Sequence, residues 1–387
     1  MRFRHPDGTV VHLAYCTNVH PAEDLDGVLR QIRVFGGGVR SALGVDLLGL
    51  GLWLPAPLAR ELAADLSLVD RLRKGLAEAG LETVTLNAFP YSGFHEPVVK
   101  HAVYSPDWTD RARLDYTVDC ARILARLMPD DAARGSVSTL PLAWREPWSP
   151  ERLVVARGHL TELSGVLAEL ADVGRPVRVA LEPEPGCVVE STRDAARLLA
   201  GSPAHLGVCL DTCHLAVGFE EPGAALARLA DAGLPVVKTQ VSAAVEVPDP
   251  ADPRAREALT AFAEDRFLHQ TRELVGGRTR GRDDLPDALS GPRPLRGHGP
   301  WRTHFHAPLH SPANEPLRGT TDHLTDTLAH LLGPEGARTD HVEVETYTWT
   351  VLPEDRRPVG EDGLIEGIAA ELAWTRDRLV NLGLTAL

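Results

Sequence analysis

The amino-acid sequence predicts an α/β protein in which eight strand–helix units close into a barrel, a (β/α)8 fold. Three observations carry that expectation. Short β-type runs alternate with longer amphipathic stretches from one end of the chain to the other, as right-handed βαβ units on a parallel sheet do. Runs such as VDLLGLGLWL are apolar throughout, which suits strands buried on both faces. The strand-like runs number about eight, enough to close a barrel. A doubly wound open sheet is the competing architecture, but no G-x-G-x-x-G turn follows the first strand to support it.

In order, VVHLAYCTNV (Val10–Val19) reads as the first strand and AEDLDGVLRQIRVF as the helix after it. VDLLGLGLWL is the second strand, a helical pattern through Leu72–Ala79 stops at Gly80, and ETVTLNAF is the third strand. A helix over Asp110–Leu127 precedes GSVSTLPL, and a further helix over Pro150–Val173 opens with Ser149 as cap and Pro150 in the first turn. RPVRVALEPEPG, HLGVCLDTCH, LPVVKTQVSA and DHVEVETYTW are the later strands, with STRDAARLLAG and GAALARLADAG as helices among them and a closing helix over Gly363–Val380. Between Val247 and Arg302 the rhythm breaks. REALTAFAEDRFLHQTREL looks helical, and GGRTRGRDDLPDALSGPRPLRGHGP is dense in Gly, Pro, Arg and Asp. Residues 248–302 are therefore expected to be an insertion after strand seven, lid-like over the catalytic face or else a mobile surface loop, within a single domain spanning 1–387.

Bulk composition narrows the function classes. A hydrophobic content of 43% with 24% charged residues supports one sizeable core. A net charge of −14 argues against a broad nucleic-acid surface while leaving a small phosphorylated substrate open. The start lacks an apolar leader, and no run approaches the ~18 apolar residues of a membrane span, so a soluble cytoplasmic protein without an integral membrane segment is expected. The five cysteines are odd in number and contain no C-x-x-C, which disfavours a disulfide framework or a zinc knuckle.

Functional residues of such a barrel lie at the C-terminal ends of its strands, and here those ends are loaded with polar groups. Strand five ends in Glu182-Pro183-Glu184-Pro185, where each proline extends the residue before it, so both glutamates should point the same way. Strand six ends at Asp211, with His214 one turn on. Asp211 alone reads equally well as a helix cap or a ligand, and His214 alone reads first as a satisfied core histidine. Lys238 and Gln240 share one face of strand seven, His304 and His306 flank Phe305, and Glu343 and Glu345 stand a period of two apart on the last strand. Their coincidence at consecutive strand ends points to a mixed O/N ligand set suited to Mn²⁺, Zn²⁺ or Mg²⁺. Cys209 and Cys213 read as small buried residues.

Glu182-Pro-Glu-Pro followed by Asp211-x-x-His214 is similar to the xylose isomerase-like TIM barrels, which include xylose isomerase, the tagatose and psicose epimerases, hydroxypyruvate isomerase and endonuclease IV. More closely, the chain resembles the EboE family of metabolite-traffic proteins from the bacterial Ebo operons, through AYCTNVHP, NAFPYSGFH, VYSPDW, LDTCH, RFLHQTRE, WRTHFHAPL and EVETYTWTVLP. The resemblance implies a first metal site of Glu182, Asp211, Gln240 and Glu345, Glu345 being preferred to Glu343 because Glu345-Thr-Tyr-Thr resembles the epimerase Glu-Ser-Phe-Thr. It implies a second site at His214, His304 and His306, and one to three divalent ions in all. Glu182 and Glu345 become an acid/base pair, with Lys238, His95 and His20 orienting substrate hydroxyls and Asn87 and Glu184 contacting substrate. Where xylose isomerase carries a Lys, this chain has Glu184, which favours proton transfer through an enediolate over a hydride shift.

The leading expectation is thus a metal-dependent isomerase or epimerase of a small sugar-, cyclitol- or polyol-like metabolite, with Ebo-operon proteins as possible partners. Its rivals are a phosphoesterase of the endonuclease IV type and a non-catalytic metabolite-binding protein built on the same barrel.

Overall fold

A computed structural model describes residues 1–311 and 313–387. Eight parallel strands, β1 (Val10–Cys16), β2 (Leu48–Trp53), β3 (Leu81–Asn87), β4 (Gly135–Thr139), β5 (Val177–Leu181), β6 (Leu206–Asp211), β7 (Val236–Val241) and β8 (His341–Val344), pair in sequence order. β8 returns to β1 in the register His341↔His12 to Val344↔Tyr15 and closes the barrel. A short strand, Arg2–Arg4, lies antiparallel to β1 and to Thr385–Ala386, so both chain ends are tied to the N-terminal rim. No helix among the described residues is long and apolar enough to cross a membrane.

Helices pack on the barrel's outside through their apolar faces, and their starts follow local chemistry. Ser149 caps the helix Pro150–Asp172, whose first-turn proline has no amide to satisfy. Asp24 and Asp110 cap the helices Leu25–Gln31 and Arg111–Leu127 in the same way. Two local features depart from the sequence pattern. The segment after β1 is a 3-10 turn, Thr17–Val19, in place of continued strand. The first helix passes through a π turn, Ile32–Gly36, into a second helix, Gly37–Leu43, which ends at Gly44 with φ 63°.

The barrel interior is polar below the site. Lys238 and Glu343, both fully buried, form an ion pair of 2.5 Å across β7 and β8. Burial pulls the Lys238 pKa down, but the charge and hydrogen bond of Glu343, with the nearby Cys209 and Cys16 sulfurs, together outweigh it and hold the group up, so the ammonium stays charged. Gly51 on β2 makes room for this pair, because a Cβ there would fall on the Glu343 carboxylate.

Between β7 and β8 the chain builds a second sheet of five antiparallel strands, in the order Arg278–Arg282, Thr271–Val275, Trp301–Thr303, Val245–Val247, Arg318–Gly319. The stretch REALTAFAEDRFLHQTREL is not one helix: the helix Pro253–Thr260 stops early. The reason is Glu264, whose carboxylate accepts from the amides of Arg266 (2.6 Å) and Phe267 (2.9 Å) and bonds to His269 Nε2 (2.8 Å), fixing a turn. The chain then extends as TRELV and reverses at Gly276-Gly277, both at positive φ, the requirement of a two-residue hairpin turn.

Two stability outcomes follow from these interior groups. Gly51→Ala should cost about 3–5 kcal/mol in urea unfolding, the scale of breaking a buried ion pair; a loss below ~1 kcal/mol would show that the pair relocates freely. Glu371 is buried in the helix Gly360–Asn381 and accepts from Leu309 N (3.0 Å) and Thr346 Oγ1 (2.7 Å), and burial raises its pKa to about 8. The folded pKa lies above the unfolded one, so its contribution is fully present below the ordinary glutamate pKa and is lost as pH rises through about 8. Glu371→Gln should flatten that part of the stability–pH curve, measured by thermal melts across the range.

Candidate metal centre and catalytic pocket

The strand ends place three carboxylates together. Glu182 follows β5, Asp211 closes β6 and Glu345 follows β8, and their oxygens lie within 4.8 Å of one another, all buried. Asp211 divides its two oxygens between duties. Oδ1 accepts from the His214 amide (2.8 Å), capping the helix Thr212–Val217, and from Ser242 Oγ (2.8 Å); Oδ2 has no hydrogen-bond partner. Glu345 Oε1 receives the amide groups of Asn18 (2.7 Å) and Asn87 (2.8 Å). Glu182 Oε2 is buried and unsatisfied, as are both amide atoms of Gln240, which sits beside Asp211 and Glu343 in strand register.

Buried polar atoms without partners are costly, and four groups sharing that condition or crowding like charges fit a cation. Burial, then Glu345 and Asp211, push the Glu182 pKa well up; burial, then Asp211 and Glu343, do the same to Glu345. In each case Lys238 opposes the rise from below.

A second cluster adjoins the first. His214, His304 and His306 meet through their Nε2 atoms, 3.1 Å from His214 to His304 and 3.2 Å from His304 to His306. Each Nδ1 faces an oxygen that can only accept: Pro183 O (2.9 Å), the Gln270 side-chain oxygen (2.6 Å) and Glu345 O (2.7 Å). Nδ1 therefore carries the proton in all three rings, and the Nε2 lone pairs face inward. Burial holds His306 neutral with a pKa near 4 and pushes His304 well below the ordinary imidazole value. Unprotonated nitrogens at such separations repel one another, whereas tetrahedral ligands of zinc, bound at about 2.0–2.1 Å, stand about 3.3 Å apart. His306 Nε2 is also 3.8 Å from Asp211 Oδ2, and Glu184 stands 3.8 Å from His304.

The pocket above these clusters is walled by Asn18, Asn87, Phe94, Tyr104, Phe267 and Tyr347. Glu184 opens onto it, held by the Tyr104 hydroxyl at 2.7 Å, with burial raising its pKa to about 7. Gln270 links the two clusters to the insertion: its amide nitrogen donates to Tyr104 (2.9 Å) while its oxygen accepts from His304. The Tyr347 hydroxyl lies 3.4 Å from His304 Nε2.

Other expected participants stand elsewhere. Lys238 is a layer beneath the carboxylates, committed to Glu343 and absent from the pocket wall. His95 bonds the Asn18 carbonyl (2.8 Å), behind the side chain that holds Glu345, and burial lowers its pKa to about 4. His20 stacks on Phe35 at 4.3 Å and bonds the Tyr15 hydroxyl (3.2 Å), with its pKa lowered by burial to about 3; it does not line the pocket. Neither imidazole reaches the cavity, so neither is positioned to orient a hydroxyl. Cys209 and Cys213 are buried thiols whose pKa values burial raises, and the Cys213 sulfur lies within 4.8 Å of a ring nitrogen of both His304 and His306, near enough to join their ligand set. Asn18, Tyr104, Gln270 and Tyr347 carry no sequence motif of their own; the clustering of Tyr and Asn in the loops after strands is the signal that points to them.

Comparison with known proteins agrees with this architecture. Residues 41–264 match the family described as xylose isomerase-like TIM barrel. No curated protein matches the sequence. Similar solved structures include a candidate sugar phosphate isomerase/epimerase from Anabaena variabilis, with 16% identity over 96% of this chain and 99% of that one and a TM-score of 0.53. The IolI protein with a bound zinc atom gives 14% identity over 96% and 99%, TM-score 0.50. A xylose isomerase-like TIM barrel protein from Mycobacterium smegmatis in complex with magnesium gives 14% over 98% and 94%, TM-score 0.49. At these identities the likeness to the first two is one of fold. With a barrel closed by eight strands and a match that spans more than half of its 387 residues, the chain belongs to the xylose isomerase-like TIM barrel family.

Proposed function

We propose that the protein is a divalent-metal-dependent isomerase or epimerase that moves a proton on a small sugar-, cyclitol- or polyol-like carbonyl metabolite, phosphorylated forms included. The observation that carries this reading is the convergence of the Glu182, Asp211 and Glu345 carboxylates, with Glu182 Oε2, Asp211 Oδ2 and the amide of neighbouring Gln240 left unsatisfied. These four would hold one ion, and His214, His304 and His306 a second. A bound divalent ion supplies Lewis acidity to neighbouring substrate oxygens and so acidifies the C–H beside a carbonyl. The chain's own groups do the rest. Asn18 and Asn87 fix the plane of Glu345, leaving its second oxygen to act. Glu182 and Glu345 form the base and acid pair, and Glu184, steadied by Tyr104, contacts substrate hydroxyls. Phe94 and Phe267 dry the pocket wall, which strengthens each of these contacts.

The three-histidine cluster favours a second reading, metal-assisted phosphoester hydrolysis, since an imidazole-rich site suits zinc; the −14 net charge directs it to a small phosphoester. The long motifs from AYCTNVHP to EVETYTWTVLP support a place in the EboE family, with partner proteins from the same operons.

Metal binding is checked directly. Protein stripped with chelator and given Mn²⁺ or Zn²⁺ at a hundred times its Kd should gain about 2.7 kcal/mol of stability. Elemental analysis should show one equivalent lost in Asp211→Asn/Glu345→Gln and the other lost in His304→Ala/His306→Ala. Equal metal content in all three proteins would refute both sites.

The reaction is tested by NMR in D2O with metal-loaded protein and a panel of ketoses, aldoses, inososes and their phosphates. Deuterium should enter the carbon next to the carbonyl of a turned-over compound, and Glu182→Gln should slow this at least a hundredfold. Turnover without deuterium incorporation, or release of phosphate from the phosphorylated members alone, would transfer the assignment to another chemistry.

A further inference from the structure

The insertion sheet carries a second concave feature that the pocket does not use. Five arginines, Arg278, Arg280, Arg282, Arg293 and Arg296, fall within nineteen residues of a chain whose net charge is −14. Arg278, Arg280 and Arg282 alternate along one strand and so share a face. Arg293 and Arg296 come from the segment that folds back over that face. Together, four of them and Glu273, Pro294 and Leu295 line a cleft of ≈ 570 Å³, within the range of small-ligand sites. It shares no lining residue with the catalytic pocket.

The walls are pinned. Glu273, directly across from Arg280 in the hairpin, accepts from the His298 amide at 2.6 Å and so ties the returning segment to the strand. The Leu295 amide donates to Ala288 O (3.0 Å), and Arg282 Nε donates to Arg293 O. Leu295 itself is buried. The guanidiniums, by contrast, meet no acid, and Arg282 donates to the carbonyls of Arg293 and Gly281. Among the described residues no carboxylate forms an ion pair with any of the five, whereas sixteen other arginines are paired, from Arg2 with Glu82 to Arg376 with Asp377. The two aspartates that follow the strand are spoken for: Asp283 pairs with Arg145 and Asp284 with Lys100.

We propose that this cleft is a binding site for a small polyphosphate-bearing ligand, separate from the catalytic pocket. Guanidinium forks match phosphate oxygens in pairs, and a cleft with four guanidiniums against the one carboxylate of Glu273, on an acidic molecule, concentrates a compact, highly charged anion. A long polyanion fits poorly, because it would run from the cleft onto a surface of its own sign.

The test is calorimetric titration of the full chain, held metal-free with chelator so that phosphate cannot bind at the metal centre. Pyrophosphate and adenosine diphosphate are the two probes. Pyrophosphate should bind at one site, more weakly as salt rises, and at least tenfold more weakly in Arg280→Gln/Arg296→Gln; circular dichroism checks that this variant is folded. Arg4→Gln, an exposed arginine outside the cleft, should leave binding unchanged. Tighter binding of adenosine diphosphate than of pyrophosphate assigns the ligand to the nucleotides, and equal binding assigns it to free polyphosphates. No saturable binding, equal binding in the double variant, or preference for a hexaglutamate peptide or an oligonucleotide over both probes would overturn the proposal. None of these outcomes depends on the metal centre or on the isomerase reading.

Discussion

Three carboxylates buried within 4.8 Å of one another set the terms for the rest of this molecule. In a dry interior such groups cannot all ionise without a cation among them. The barrel supplies one cation from below, Lys238, but that charge is largely answered by Glu343. What remains is an electrostatic deficit at the mouth, and the surrounding structure is arranged to keep it. Asn18 and Asn87 hold Glu345 in place, Ser242 and a helix amide hold Asp211, and Gln240 is left with two idle atoms. Gly51 leaves room for the pair that lies underneath.

The insertion sheet is part of the same arrangement. Gln270, at the start of its edge hairpin, both locks the His304 tautomer and braces the tyrosine that positions Glu184. His304 and His306 follow directly from a strand of that sheet, with Phe305 turned the other way onto Phe262. Two of the three imidazoles are thus delivered by the insertion and the third by the barrel, so the second cluster exists only where the two sheets meet.

Much of the barrel was legible because a parallel strand buried on both faces leaves an unbroken apolar run, and because three of the later runs lead into a carboxylate, Glu182, Asp211 and Glu345. Asp211 shows how far that reasoning reaches. Sequence offered a cap or a ligand as alternatives, and one carboxylate oxygen serves the helix while the other stays open. The misreadings came from side chains acting on backbone. Glu264 captures two amides and ends what looked like a continuous helix. The Gly276-Gly277 turn is visible in the letters, but within a Gly-rich stretch nothing in the sequence separates it from loop. Lys238, His20 and His95 share residue types with catalytic groups; Lys238 and His20 are buried away from the pocket wall, and half-buried His95 is spent on the Asn18 carbonyl. The pattern of a strand tells which face a side chain takes, not which layer of the barrel it reaches.

The shared duty of Asp211 has a consequence for reading relatives of this protein. Replacing it would expose the first turn of the helix Thr212–Val217 and unseat Ser242 as well as empty a ligand position. A descendant that had abandoned chemistry would still be under pressure to keep that aspartate for the sake of its fold. Gln240 holds nothing else in place, so drift at that position costs the scaffold little. Among homologues, the amide is the better witness to whether the site is in use, and the aspartate, although it looks the more catalytic of the two, testifies mainly to the helix.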